Sequence, residues 1–327
     1  MKIEKINYNC YEDFLQDLSP SKWLYNIQNF FVYRGQGEDF DLLPSIYRTP
    51  KNILKIYAPE EYIKKECEFA YRCAEYNLLK EFFINSNKTG LIIPHNSFNN
   101  YDYISNCGLN QILKIISKEW LPDDMIEIAA LAQHYGVPTR LLDWSFDINV
   151  ALYFATKNAL SYIVKNQFIN NSKMLVVWLL NFTNLNEKSI SDRNFPLRYI
   201  IPDYYNNPNL NAQKGLLTCW KSTETSIDNL TEIKRNTKTL NELLIENTNK
   251  YSAISTDVAM YKITIPHKET LKIFKHLSKN GYHGARLFPG YFGVIRKMEE
   301  DRLISEAEPY FNESGWRGSF PEKISII

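Results

Sequence analysis

The stretch that most restricts how this chain can fold runs from Gly136 to Lys157, GVPTRLLDWSFDINVALYFATK. Pro138 ends any helix that precedes it, because proline lacks the N–H a helix interior needs. Ser145 is a candidate N-cap for the helix that follows. That helix carries Ile148, Ala151, Leu152 and Ala155 on one face, with Val150 and Phe154 filling much of the other. A helix apolar nearly all round is buried. The residues just before it, Arg140, Asp143 and Trp144, read as a rigid loop held above the end of a core element.

Elsewhere the order of elements is mixed. Residues 1–30 read as helix, turn, helix, over 11–18 and 21–29, split by Pro20. FVYRGQG, residues 31–37, is a β-rich run closed by glycines, so a strand ending in a turn. Apolar spacing predicts one long helix over 60–83 and another over 122–135. MLVVWLL, residues 174–180, is a continuous apolar run suited to a central strand. Strands are also expected over 258–265 and 284–288, and helices over 267–280, stopped by Gly281, and 291–300. Helices come first and strands are spread along the chain. That argues an α+β fold, with mixed or antiparallel small sheets and several packed helices, rather than a doubly wound parallel sheet. Residues 85–110 are Asn-rich and irregular, and 222–250 read as a polar insertion or lid. The expected division is a helical extension over 1–24, a main domain over 25–300 and a tail over 301–327.

Charge and cysteine usage narrow the class. Lys+Arg number 38 against 37 Asp+Glu, without the basic surplus of a protein that grips nucleic-acid backbone by charge. Cys10, Cys67, Cys73, Cys107 and Cys219 are scattered and form no CxxC pair. Neither a disulfide framework nor a zinc site is signalled, and no metal is expected. The N-terminal MKIEKINYNCYEDFLQDL has no apolar core of the signal-peptide type, and no run is long enough to span a bilayer. The expectation is a cytoplasmic protein without membrane contact.

Three constellations could carry chemistry. In the first, Tyr33-Arg34-Gly35-Gln36-Gly37, an arginine stands at a strand end beside glycines that let a ligand approach the backbone. That suits a phosphate or carboxylate clamp, and equally a surface arginine on an edge strand. The second runs from Gln133 and His134 through Arg140, Asp143, Trp144 and Ser145, directly before the buried helix whose N-terminal amides attract anions. The alternative there is structural, with Asp143 as cap or ion-pair partner and Trp144 as core. The third, Asn211-Ala212-Gln213-Lys214-Gly215, places Gln213 at a strand start where its amide can meet a ribose, or simply form a turn.

Together these stretches resemble the FRG-domain family. The matching pieces are FVYRGQG with LLPSIYR (42–48), LAQHYGVPTRLLDWSFDINVALYFA (131–155), AQKGLLT (212–218) and an IP-helix-G-LFP element over 265–289. A fainter similarity joins VYRG to the arginine motif that opens many ADP-ribosyltransferases, which implies an ADP-ribosyltransferase-like core. On that resemblance Arg34 holds the phosphates of NAD, Trp144 and Ser145 floor the nicotinamide pocket, and Gln213 stands where a catalytic carboxylate is expected. Tyr33, Gly35, Gln36, His134 and Arg140 would complete the nucleotide site, with Arg34, Asp143 and Gln213 as the catalytic set. A neutral amide cannot stabilise an oxocarbenium ion by charge, so Asp143, Glu224 or Glu232 would have to substitute.

Three functions follow as expectations. One is an NAD-consuming or ADP-ribosyltransferase-like enzyme acting as a toxin or anti-phage effector on a protein or nucleic-acid target. The second is a module that senses a nucleotide without chemistry. The third is a nucleic-acid groove built from Arg34, Arg140, Arg193 and Arg198 with neighbouring tyrosines.

Overall fold

The computed structural model describes residues 2–94, 109–192, 194–202, 207–251 and 258–311. Its strands are β1 (Lys2–Asn7), β2 (Phe31–Gln36), β3 (Leu141–Ser145), β4 (Met174–Asn181), β5 (Leu197–Ile200), β6 (Gly215–Trp220) and β7 (Val258–Pro266). They form one sheet in the order β1-β7-β4-β2-β3-β6-β5. Only β1 with β7 is parallel; the other neighbours are antiparallel. With helices packed around it, this is an α+β fold. The helices that position the site are α1 (Glu68–Lys88), α2 (Ile126–His134), α3 (Ile148–Asn166), α4 (Thr270–Lys279) and α5 (Tyr291–Phe311). Among the described residues, no helix is long and apolar enough to cross a membrane.

β4 is buried from Leu175 to Asn181, between β7 and β2. Cover on both faces explains its unbroken apolar run. On one face lies α3, in a cluster with Tyr33, Val177, Ile263, Phe274 of α4 and Ala307 of α5. The other face carries Val32, Leu142, Trp144, Trp178 and Leu216, covered by Leu240 and Leu244. A third cluster packs α1 against α2 with Trp120 and Leu141.

One seam in the sheet is weak. β2 pairs with β4 at six positions, Phe31 to Gln36, but with β3 only at Tyr33–Ser145.

Several local expectations change. The segment 60–83 is two helices, Glu60–Lys65 and α1, broken at Glu66 (φ 56°). There Cys67 forms a β-bridge with Lys234, and the Glu68 amide donates to the Ile233 carbonyl, so a distant segment captures the backbone. The expected loop at 141–145 is strand β3. The N-cap of α3 is Asp147, whose carboxylate accepts from the Asn149 amide, while Ser145 ends the strand and its hydroxyl accepts from the Asp147 amide. Residues 284–288 hold a short helix, Gly284–Leu287, anchored by the Gly284 amide on Glu300. α5 runs on to Phe311, past the expected end at 300. A strand at Lys2–Asn7 precedes the two N-terminal helices, recruited by β7 although its own face is mostly polar.

Candidate functional site

The site forms where β2 and β3 part. Just past their single pairing, Arg34 sends Nη1 across the opening to the Asp143 main-chain carbonyl at 2.8 Å and to its carboxylate at 3.4 Å. Gln133 of α2 donates to the other carboxylate oxygen at 2.6 Å. Thr139 holds the Gln133 amide from behind, so the Asp143 carboxylate is oriented through two layers of contacts. A hollow of about 380 Å³ opens here, lined among others by Arg34, His134, Asp143, Ser145, Phe154, Gln213, Phe288 and Arg296. Its size falls within the range of small-molecule sites.

The hollow is positive with one acid. Asp143 is the only carboxylate among the described residues that line it. The Arg34 Nε is buried without a partner, a donor still lacking an acceptor. Arg296 lies over Phe288 at 3.8 Å and Phe292 at 4.7 Å, which steadies its guanidinium by cation–π contact. Burial, then the charge of Arg34, lowers the pKa of Arg48, which places a further cation near this corner. Among the described residues no cluster of three His, Cys, Asp or Glu side chains stands ready for a metal ion.

Burial pushes the His134 pKa below its ordinary value; Arg296 adds to the shift and Asp143 opposes it. Burial also depresses His267, whose Nε2–H donates to the Gly37 carbonyl at 2.6 Å. Both rings bind fewer protons folded than unfolded. Stability is therefore full above the unfolded value near pH 6.5 and falls as pH drops through the lowered folded values. Urea midpoints are expected to be lower at pH 5.5 than at pH 7.5, and His267→Asn should flatten the difference.

Arg34, Asp143, Ser145 and Gln213 do converge, although they come from two strands and a turn. Arg34 is on an interior strand, not an edge. Ser145 is committed, donating to the Gln213 carbonyl at 2.7 Å. Gln213 donates its amide to the Leu287 carbonyl at 3.1 Å. Tyr33 and Gly35 border the hollow; the Tyr33 hydroxyl is bonded to the Gln28 carbonyl, and Gly35 lies against Ala151 of α3. Trp144 proves to be core: strand alternation sends its indole to the face away from Asp143, where it donates to Thr218 at 2.9 Å. The residue itself still borders the hollow.

Other expected members lie elsewhere. Gln36 is buried on Trp178, which donates to it at 2.8 Å. Arg140 is buried among Glu68 and Glu75, held by Nε to Glu75 at 2.6 Å and Nη1 to Glu68 at 3.1 Å. Burial alone would lower its pKa, but Glu75, Tyr47 and Glu68 outweigh that and hold it well above the ordinary value. Glu224 lines a different hollow, and Glu232 lines neither. Of the arginines expected in a groove, Arg140 is internal, Arg198 is bonded to Asp123 and the Leu121 carbonyl, and Arg193 lies outside the described residues.

Arg296 escaped the sequence reading. It sits in an ordinary charged helix segment, IRKMEE, with no local signal. Phe288 belonged to the quoted LFP element and could have been flagged.

In this α+β sheet an arginine and an aspartate face each other across the split between two strands. Residues 29–162 match the family model described as the FRG domain. That span runs from the start of β2 almost to the end of α3, taking in both walls of the opening; Gln213, Phe288 and Arg296 lie beyond it. No curated protein and no solved structure matches the chain.

Proposed function

We propose that the β2–β3 opening binds a nucleotide-type ligand of the NAD or ADP-ribose class, with its phosphates on Arg34. One observation carries this: a buried, unpartnered Arg34 Nε at the wall of a hollow that also presents Arg296 and two phenylalanines. Guanidinium donors suit phosphate oxygens, and the rings suit a base. The similarity of VYRG to ADP-ribosyltransferases adds the reaction. Asp143 is the carboxylate that would face an oxocarbenium ion as the nicotinamide–ribose bond breaks, its electron pair leaving with nicotinamide and water or a target side chain attacking the ribose. Such a protein depletes NAD or modifies a target, as a toxin or anti-phage effector does.

A second reading, binding without chemistry, is favoured by two features. Both Asp143 oxygens already accept bonds, from Arg34 and Gln133, and Gln213 offers no charge. Calorimetry with ADP-ribose and a nicotinamide-release assay with NAD separate the two. Arg34→Ala is expected to weaken ADP-ribose binding by about 10- to 100-fold, the worth of a charged hydrogen bond. Asp143→Asn is expected to stop nicotinamide release with binding kept. Absence of any ADP-ribose or NAD binding would discard both readings.

A further inference from the structure

A second hollow, of about 250 Å³, lies on the other side of the sheet, over β3 and β6, roofed by the segment that carries Leu240 and Leu243. Its walls are mixed: Leu42, Leu142 and Leu243 form an apolar part, Tyr47 and Trp220 border it, and Glu68 and Glu224 are among the polar residues that complete the lining. Arg140 forms part of its lining. That side chain is only 2 % exposed, and its Nη2 has no hydrogen-bond partner.

The charges around the hollow are nearly all spoken for. Arg140 and Arg72 offset Glu68 and Glu75 in a buried quartet. Glu224 accepts from the amides of Thr225 and Ser226 and from the Asn229 side chain. Lys238 pairs with Glu246 at 2.6 Å. Lys221, half-buried on the rim, makes no ion pair among the described residues. What remains without a partner among the described residues is therefore one buried guanidinium donor and one ammonium, beside the apolar and aromatic part of the lining. A buried donor without an acceptor costs about 1–3 kcal/mol, which a ligand acceptor recovers.

We propose that this hollow is a second ligand site that takes a small aromatic molecule bearing a single carboxylate. Its carboxylate meets Arg140 Nη2 and Lys221, and its ring lies among Leu142, Leu243 and Trp220. A polyphosphate does not fit the charge, since Glu224 also lines the space and offsets Lys221, the one cation of the lining without an ion pair among the described residues. This site does not depend on the reading of the β2–β3 opening.

Fluorine NMR line broadening with 4-fluorobenzoate, and with neutral 4-fluorobenzamide, tests it on the full chain. Benzoate is expected to bind and benzamide to bind at least about tenfold more weakly, since a charged hydrogen bond outweighs a neutral one. Leu243→Trp, which fills the hollow, is expected to abolish binding. Lys221→Ala, a rim change that leaves the core untouched, should weaken it by about threefold. Arg34→Ala, in the other opening, should leave it unchanged. No benzoate binding at millimolar concentration, equal binding of the amide, or loss of binding in Arg34→Ala rather than in Lys221→Ala overturns the proposal.

Discussion

Gly35→Val is expected to leave the chain unfolded at room temperature, and Gly35→Ala to lose at least about 4 kcal/mol, in the range where single changes are exceptional. A Cβ built at Gly35 would stand 1.8 Å from the Ala151 carbonyl oxygen, 2.6 Å from its carbon and 3.1 Å from the Ala155 Cβ. Two of those three atoms are backbone of α3, so no side-chain rotation relieves the clash. Relief requires α3 to lift from β2, which would open the cluster holding Tyr33, Leu152 and Val177. Total stabilities of about 5–15 kcal/mol leave little room for that. Gly136→Ala is the control. Its Cβ meets nothing within 4 Å, but φ is +94°, so only backbone strain opposes it and about 1 kcal/mol is expected. Urea denaturation followed by circular dichroism measures both. A Gly35→Ala protein as stable as the parent would mean that α3 is not pressed on β2, and the site geometry would go with it.

The second large effect is Glu75→Ala. Three donors converge on this buried carboxylate: the Arg140 amide at 2.7 Å, Arg140 Nε at 2.6 Å and Trp120 Nε1 at 2.7 Å. Removing it strands a buried guanidinium with only Glu68 as partner, and breaking a buried pair in this way costs about 3–5 kcal/mol. Glu75→Gln keeps the shape and part of the bonding, so a smaller loss is expected. Lys275→Ala removes an exposed partner of Glu308 and should change stability by less than about 1 kcal/mol. If Glu75→Ala and Lys275→Ala shifted the urea midpoint equally, the buried quartet would not be a structural anchor.

Much of the fold was legible because burial leaves a periodic trace. β4 and α3 were found from runs that are apolar on every side, and Gly281, with φ +83°, stops the preceding helix as a glycine in the left-handed region does. The failures share one cause. Glu66–Cys67, β1 and the short helix at Gly284 each take their conformation from a distant partner: Lys234, β7 and Glu300. Five or six residues carry too little periodicity to outweigh such contacts.

The candidate site divides the same way. Local pattern by itself determined that Arg34 ends a glycine-bounded strand, that Asp143 and Trp144 precede a buried helix, and that Gln213 stands at the start of a strand. Only the tertiary structure decided which of these side chains meet. Arg34 and Arg140 look equally available in the chain, but Glu75, 65 residues before Arg140, neutralises that one inside the core. Arg34 instead falls where β2 and β3 share a single pair, and it is left facing an opening. Hydrophobic periodicity is written along the backbone, whereas the partner of a charge is set by whichever remote segment packing brings against it.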